Sequence, residues 1–285
     1  MLTKADLGHA EQLCSQMSQY ANLFHIASLT GYELLFLKEE MTVGRGIALY
    51  DVFNLPNRAI KKRSIRFLPQ YIRNGRLFEN FQPLASEHFD ERICNLSSSK
   101  NYNIIGFAGL YKHCEPSFEK IHNAFTFKPH IYQKALYNIE RVKAESQPGA
   151  ELVSLHFRRK DYLASTAHVN LSRAYYEKAL QFFDTARTKF IVFSDDIPWC
   201  RELDFLRTLA VCFSENANHV DLAMMSLCNH HIASNSSFAV WGSLLNRNPD
   251  KTVICPRNYI RQTSKEYQWI NGNYYPSAWI ALDEI

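Results

Sequence analysis

Residues 151–161 read ELVSLHFRRKD, a largely apolar run that ends in a cluster of charged side chains. A short apolar run that follows Pro148-Gly149 is typical of a strand buried on both faces of a parallel sheet. In such a sheet, ligands bind where the strands end, so the polar residues that close this run are candidate site residues. The stretch therefore predicts an α/β fold with a ligand site that begins at His156.

The same alternation of strand and helix patterns continues to the end of the chain. Strands are predicted at 152–157, 190–193, 231–233 and 252–254, and helices at 172–183, 221–228 and 238–246. This order is typical of a parallel sheet covered by helices. A helical pattern at 137–143 ends at the linker-like residues 145–149, ESQPG. The sequence thus predicts one domain at 1–148 and a second at 149–285. In the first, a helix at 11–31 capped by Gly31 and a strand at 33–37 are predicted.

Adjacent arginines follow the first of these strands. A guanidinium binds two phosphate oxygens at once and stays charged at physiological pH, so Arg158 and Arg159 suit a diphosphate. A structural pair between arginine and aspartate is the alternative. Asp195 and Asp196 follow the strand at 189–193, but metal-binding carboxylates in many nucleotide-sugar transferases are separated by one residue. Capping of the next helix, a hydrogen bond to ribose or orientation of the arginines is therefore preferred for this pair.

The third polar cluster is Asn235-Ser236-Ser237, directly before an apolar helical pattern. Serines at a helix start cap the helix, and the same geometry offers backbone N–H groups to a phosphate. Upstream of this cluster, the carboxylate of Asp221 suits the N1–H and the exocyclic amine of guanine. His230 and His231 match no metal-ligand spacing and are expected to have structural roles.

Composition narrows the class of protein. The chain has 285 residues, 46% hydrophobic, with a net charge of +4 and seven cysteines that form no C-x-x-C pair. This predicts a globular protein without a nucleic-acid partner, disulfide scaffold or zinc ribbon. The N-terminus lacks a signal-like apolar core, and no apolar stretch approaches the roughly 20 residues needed to span a bilayer, so a cytoplasmic location is expected. Residues 56–78 carry seven Lys or Arg and no acid, which indicates a solvated face or, alternatively, peripheral contact with the anionic inner membrane surface.

Taken in order, these clusters resemble the bacterial α-1,2-fucosyltransferase family. Residues 156–161 are similar to its H-x-R-R-x-D motif, residues 193–196 to its F-S-D-D block, and residues 221–246 to its third block, in which an aspartate precedes N-S-S-F and W-G. A weaker similarity covers 105–128. The matches are spread over most of the chain and follow the order of the family motifs.

The resemblance implies a GT-B fold, with two Rossmann-like domains whose parallel sheets face a cleft. Residues 1–148 would then bind the acceptor and residues 149–285 GDP-fucose. The implied reaction is the transfer of L-fucose, with inversion and without a metal or other cofactor, to a galactose-containing oligosaccharide or lipid-linked glycan in polysaccharide biosynthesis. By motif position, the implied donor-binding residues are Arg158, Arg159, Asp195, Asp196, Asp221, Asn235, Ser236 and Ser237, with Arg158 at the β-phosphate, Asp221 at the guanine, and Ser236 and Ser237 at the diphosphate. Arg158, His156 and Asp161 are the candidate catalytic residues.

One segment departs from the family pattern. Glu11, Gln12, Cys14 and Ser15 stand where the family has the loop G-G-x-G-N-Q, and no strand is apparent before them. Side chains at such positions obstruct a close approach of backbone to ligand. The donor pocket then differs, the start of the chain is displaced, or activity is impaired. The alternatives to a fucosyltransferase are therefore a relative that binds nucleotide or partner transferases and a transferase for another nucleotide sugar. His156, Asp161 and Glu11 are the candidates for the catalytic base.

Overall fold

The computed structural model describes residues 1–8, 12–37, 48–60, 77–84, 88–106, 109–261, 263 and 269–283. The chain forms two compact units, Met1–Lys128 and Pro129–Ile285. Among the described residues, no helix is both long and apolar enough to cross a membrane. The described residues do not include 61–76, which form most of the basic segment at 56–78. They also do not include the candidate base Glu11.

The first unit is built from short parallel strands and helices. Its strands are β1 (Leu2–Thr3), β2 (Leu35–Leu37), β3 (Arg58–Ile60), β4 (Glu79–Phe81) and β5 (Tyr102–Ile104), and its helices are α1 (Leu13–Thr30), α2 (Leu49–Val52), α3 (Tyr111–Cys114) and α4 (Phe118–Ala124). Strands β1, β5 and β4 form one parallel sheet in that order, and β2 pairs with β3 in a second. Short 3-10 turns lie at 91–95 and 115–117.

Helix α1 carries the core of the first unit. Its side chains Met17, Tyr20 and Leu23 are fully buried, and the packing of these side chains is the main source of stability for the helix. The helix ends where Gly31 adopts a left-handed conformation (φ 74°) and donates its N–H to Ala27 O, as the sequence predicts. A strand before this helix, which the sequence pattern did not reveal, does exist as Leu2–Thr3. It has only two residues, too few for a periodicity to be recognised.

The second unit is a six-stranded parallel sheet with helices around it. The strands are β6 (Glu151–Phe157), β7 (Thr188–Ser194), β8 (Val211–Phe213), β9 (His230–Ile232), β10 (Val253–Pro256) and β11 (Ile280–Leu282). The helices are α5 (Pro129–Ala144), α6 (Lys160–Leu163), α7 (Arg173–Leu180), α8 (Ile197–Arg201), α9 (Asn218–Met225) and α10 (Ser237–Leu244), with a 3-10 turn at 204–208. The four predicted strands and the three predicted helices after residue 149 are confirmed to within a few residues.

The centre of this sheet is the pair β6 and β7, which run parallel in register from Glu151 opposite Thr188 to Phe157 opposite Ser194. Their apolar side chains are buried on both faces, because helices cover the sheet from both sides. The strand order is β11-β10-β9-β6-β7-β8. The chain therefore moves outward from β6 to β8 and then returns to the other side of β6 at β9. Such a reversal leaves a crevice at the carboxyl ends of β6 and β9, which is where ligands bind in open α/β sheets.

The boundary between the units falls at Lys128 and Pro129, earlier than the predicted boundary at 148. The reason is the packing of α5: its buried stripe Ile131, Ala135 and Ile139 belongs to the core of the second unit, where α5 lies against α9. The Pro-Gly stretch before β6 is therefore a loop within the second unit. A linker signal in the sequence marks the end of a helix and does not reveal which core that helix joins.

Candidate active site

The turn after β6 carries both arginines, and a carboxylate from the neighbouring strand end holds it. The backbone N–H of Arg159 donates to Asp195 Oδ1 (3.0 Å), and that of Lys160 donates to Asp195 Oδ2 (3.1 Å). Hydrogen bonds to a charged acceptor are among the strong ones, so Asp195 fixes the path of the chain into α6. Of the roles predicted for Asp195, orientation of the arginines matches this geometry, whereas the backbone groups that it binds belong to the start of α6 and not to the helix that follows Asp195.

The guanidinium of Arg158 lies against two carboxylates and an aromatic ring. Its Nη2 donates to Asp161 Oδ2 (2.7 Å), its Nη1 lies 3.4 Å from Asp195 Oδ2, and its Cζ is 5.6 Å from the centre of the Tyr162 ring. Burial alone would lower the pKa of this guanidinium, but Asp161 and Asp195 offset that effect and keep the pKa above its ordinary value. About a fifth of the side chain (19%) is exposed. The result is a fixed, charged and partly accessible cation, which suits an anionic ligand.

Arg159 is held by different partners. Its Cζ stacks 4.2 Å above the Trp199 ring, and its Nε lies 3.3 Å from Asp196 Oδ2. Asp196 also caps α8, because its Oδ1 accepts from the backbone N–H of Trp199 (3.4 Å). These contacts fix Arg159 beside the strand end and give Asp196 a capping role.

Helix α10 begins at the carboxyl end of β9 with the predicted serine cap. Ser236 is the N-cap residue, and its Oγ accepts from the backbone N–H of Phe238 (3.3 Å). Ser237 is the first helical residue. Asn235 has a structural role in this geometry, because its side-chain amide donates to Val169 O (2.9 Å) and Tyr259 O (3.1 Å) and so ties two loops to the helix start.

The arginine turn and the helix start meet at the crevice between β6 and β9. His156 Nδ1 is hydrogen-bonded to Ser234 Oγ (2.8 Å) across the two strands. Tyr162, on α6, donates its hydroxyl to Asn235 O (2.8 Å) while its ring supports Arg158. One side chain therefore links the guanidinium to the N-terminus of α10. A positive charge and the positive end of a helix dipole at one sheet edge form a suitable site for a phosphate group.

Asp221 lies on the first turn of α9, and its side chain is buried. Its Oδ1 accepts from Ser214 Oγ (2.6 Å) and from Asn216 Nδ2 (3.2 Å). Burial raises the pKa of this carboxyl to about 6, although the bonds from Ser214 and Asn216 pull the pKa down. A buried carboxylate held by neutral donors is a suitable acceptor for the two neighbouring N–H groups of a guanine base.

The two described candidates for the catalytic base differ sharply in access. The imidazole of His156 is buried inside the sheet, and burial lowers its pKa to about 3, so at neutral pH it is uncharged and shielded from solvent. The carboxylate of Asp161 is 57% exposed and lies at the sheet edge beside Arg158. Glu11 belongs to residues 9–11, which the structure does not describe.

Carboxylates are present at this edge without forming a metal cage. Across the described ranges, no three His, Cys, Asp or Glu side chains are grouped so that they can hold a metal ion. Asp195 accepts hydrogen bonds from backbone N–H groups and forms an ion pair with Arg158, while Asp196 caps a helix and forms an ion pair with Arg159. His231 is bonded to Ser154 Oγ (2.7 Å) and to Asn246 Nδ2 (2.7 Å) inside the core, which agrees with its expected structural role.

Sequence reasoning missed several residues that shape the site. Trp199 orients Arg159, Tyr162 links Arg158 to α10, and Ser214 and Asn216 hold Asp221. The position of Tyr162 one residue after the H-x-R-R-x-D stretch was the only signal for it in the sequence. The Ser214 and Asn216 contacts depend on how β8 leads into α9, and β8 was not predicted.

In the first unit, the segment that departs from the glycine-loop pattern is partly described. Gln12 is the N-cap of α1 but makes no side-chain capping bond, and Cys14 is buried in the first turn. Ahead of it, Lys4 is buried after β1 and donates its Nζ to Gly106 O (2.7 Å). Side chains therefore occupy the first turn of α1, and the consequence for a donor pocket stays a prediction.

The chain belongs to glycosyl transferase family 11, whose model matches residues 3–282. The O-antigen biosynthesis glycosyltransferase WbnK of Escherichia coli is 33% identical over 156 residues, which cover 50% of this chain and 48% of that protein. The mouse galactoside α-(1,2)-fucosyltransferase 2 is 26% identical over 82% of this chain and 66% of its own length. An E. coli α-1,2-colitosyltransferase is 26% identical over 82% of both chains. The match thus spans about half to two thirds of the first two relatives.

Solved structures of the same fold extend over most of the chain. The NodZ α-1,6-fucosyltransferase soaked with GDP-fucose aligns with a TM-score of 0.53 and 12% identity, over 86% of this chain and 92% of NodZ. POFUT1 in complex with GDP aligns with a TM-score of 0.54 and 11% identity, over 90% of this chain and 97% of POFUT1. At this identity the likeness shows the fold, an α/β fold of GT-B type with parallel sheets, as predicted.

Proposed function

We propose that this chain transfers L-fucose from GDP-fucose to a galactose-containing acceptor, forming an α-1,2 linkage with inversion. The observation that carries the proposal is the meeting of Arg158 with the N-terminus of α10 at the crevice between β6 and β9. Departure of GDP builds negative charge on the diphosphate, and a fixed cation and a helix dipole stabilise that charge. Membership of glycosyl transferase family 11 and relatives named for α-1,2 transfer support the same reaction.

In this proposal each donor-binding residue contacts one part of GDP-fucose. Arg158 binds the β-phosphate, Ser236 and Ser237 bind the diphosphate, and Asp221 accepts from the guanine. Asp195 and Asp196 act by holding the two arginines. Asp161 is the accessible candidate for the base that takes the proton of the acceptor hydroxyl, and Asp161→Asn should lower kcat more than it weakens GDP binding.

The decisive assay measures transfer from GDP-[14C]fucose to β-galactosides in the presence of EDTA. We expect transfer without added metal, and a loss of ~10²-fold or more in Arg158→Ala, because one such transition-state interaction contributes about 3 kcal/mol. Arg173→Ala is the matched control, since Arg173 is an exposed arginine of α7 that pairs with Glu177 and Asp204. Equal rates for Arg158→Ala and the control would refute the proposed role, and complete inhibition by EDTA would refute a metal-independent reaction.

The second candidate function is transfer from a different nucleotide sugar. The α-1,2-colitosyltransferase aligns with as much of this chain as the mouse fucosyltransferase does. Colitose is L-fucose without its 3-hydroxyl group, so both donors share the GDP portion of the site. Initial rates with GDP-fucose and GDP-colitose, at equal concentration and with the same galactoside, separate the two. A faster reaction with GDP-colitose would replace fucose in the proposal.

A protein that binds GDP without turnover is the third candidate, motivated by the side chains in the first turn of α1. Calorimetry with GDP together with a panel of galactosides tests it. Binding of GDP with no transfer to any acceptor in the panel would favour a nucleotide-binding relative or a partner of other transferases.

The acceptor in this proposal is an oligosaccharide or a lipid-linked glycan, and a lipid-linked glycan would bring the protein to the inner face of the membrane. The basic segment 56–78 is the part of the sequence that suits such contact. Co-sedimentation with phosphatidylglycerol vesicles and with neutral phosphatidylcholine vesicles tests this. Equal recovery with both would leave the segment as a solvated face.

A further inference from the structure

Asn138 lies outside the three polar clusters, and a chain of hydrogen bonds connects it to Asp221. It lies on α5, and its Nδ2 donates to Asn216 Oδ1 (3.1 Å). The Nδ2 of Asn216 in turn donates to Asp221 Oδ1 (3.2 Å) and to Ser214 Oγ (2.9 Å). The packing of α5 on α9 thus brings an amide of the second unit's first helix into the surroundings of the buried carboxylate.

The bond from Asn138 holds the oxygen end of the Asn216 amide and so favours the orientation in which the nitrogen end faces Asp221 and Ser214. A side-chain amide has one acceptor end and one donor end, and the two are nearly equal in shape. With Oδ1 held by Asn138, the donor end must point to Asp221. Without that bond, Oδ1 loses this donor and the amide is held less firmly, so that its bonds to Asp221 and Ser214 weaken.

Asp221 depends on such donors because its surroundings offer little other compensation for the charge. Helix α10 carries no ionisable side chain, and the charged residues of α5, which are Lys134, Glu140, Arg141 and Lys143, are all exposed. On β8 the titratable group is Cys212, whose pKa burial raises to about 11, so this thiol is neutral. Glu215, which precedes α9, is exposed, and His219, on α9 itself, is half-buried. Ser214 and Asn216 are therefore the principal groups that favour the charged carboxylate.

We propose that Asn138 is a positioning residue for guanine recognition: it holds Asn216 so that Asp221 is kept charged and correctly oriented for the base. The proposal rests on the proposed function, in which Asp221 accepts from the guanine of GDP. Asn138 does not touch the nucleotide in this account. It acts through Asn216.

The test compares GDP with inosine diphosphate, which lacks the exocyclic amine, by isothermal calorimetry on the full chain. We expect Asn138→Ala to weaken GDP binding by ~10-fold, the typical effect of one hydrogen bond to a charged group, and to reduce the preference for GDP over inosine diphosphate. Asn138→Asp, which has the same shape but cannot donate, should behave in the same way and serves if the alanine variant fails to fold. Gln133→Ala, at an exposed position of the same helix, should match the wild type.

A pH series gives a second readout that a general loss of structure does not produce. Loss of the Asn216 bond raises the pKa of Asp221, so the pH below which GDP binding declines should move upward in both Asn138 variants. Equal weakening of GDP and inosine diphosphate with an unchanged pH profile would overturn the proposal, as would unchanged binding. If the wild type fails to bind GDP at all, the proposed function fails and this inference with it. If Asp221→Asn loses the preference for GDP and Asn138→Ala keeps it, the inference fails alone.

Discussion

Replacement of Asp221 by asparagine should make the protein more stable while it weakens nucleotide binding. Asparagine keeps the shape of the side chain and an acceptor oxygen for Ser214 and Asn216, but it carries no charge. The wild-type carboxyl is buried, and burial raises its pKa from 3.8 to about 6. The folded protein therefore holds a carboxylate at neutral pH at some cost in stability.

The magnitude follows from the pKa shift. A rise of about two pKa units corresponds to ~3 kcal/mol between the protonated and the charged form. The pKa of Asp221 is higher in the folded than in the unfolded protein. The contribution of Asp221 to the free energy of unfolding is therefore most favourable below the unfolded pKa, and it falls as pH rises from about 4 to about 6. At pH 7, Asp221→Asn should therefore gain up to ~3 kcal/mol over the wild type, and this gain should shrink towards zero below about pH 4. GDP affinity should fall by ~10²-fold, since two hydrogen bonds to a charged acceptor are lost.

Urea unfolding of both proteins across pH 4 to pH 8, followed by fluorescence, measures the stability difference, and calorimetry with GDP measures affinity. Asp250→Asn is the control, because Asp250 is an exposed carboxylate in the loop before β10. A stability difference that does not change with pH would refute the assigned pKa. A variant that is less stable than the wild type at pH 7 would show that the charge of Asp221 contributes to folding instead of opposing it.

Three further changes follow from the same contacts. Asp195→Ala removes the acceptor of two backbone N–H groups and should lower the free energy of unfolding by about 2 kcal/mol in urea titrations, whereas Asp250→Ala, at an exposed loop position, should change it by less than about 0.5 kcal/mol. Gly242→Ala should destabilise by about 1 to 3 kcal/mol, visible as a lower Tm, because the added Cβ would lie 2.8 Å from Met225 Cβ. Ser236→Ala should cost about 1 kcal/mol through loss of the α10 cap and should also weaken GDP binding in calorimetry, and unchanged affinity would remove Ser236 from the donor site.

The second unit was largely predictable because its sheet is buried on both faces. Strands such as β6 and β7 then appear as apolar runs that end in polar residues, and the polar residues mark the carboxyl edge of the sheet. Short edge strands gave no such pattern: β8 and β11 have three residues each and were missed. The same holds for β1, whose two residues were not recognised as a strand.

Individual site residues were predictable by position, but their partners were not. The sequence predicts that Arg158 lies at a strand end. Only the fold shows that Asp195 accepts hydrogen bonds from the turn after this strand, and that Tyr162 connects the turn to the start of α10. Asn235 illustrates the reverse case: its place in the N-S-S-F block suggests ligand contact, whereas its amide ties two loops together. Contacts between distant segments depend on tertiary packing, which periodicity along the chain does not encode.

A crystal structure of the protein with GDP tests the central claim most directly. We expect β-phosphate oxygens within about 3 Å of the Arg158 guanidinium and of a donor group of Ser236 or Ser237. A diphosphate bound elsewhere, with neither Arg158 nor the start of α10 in contact, would contradict it.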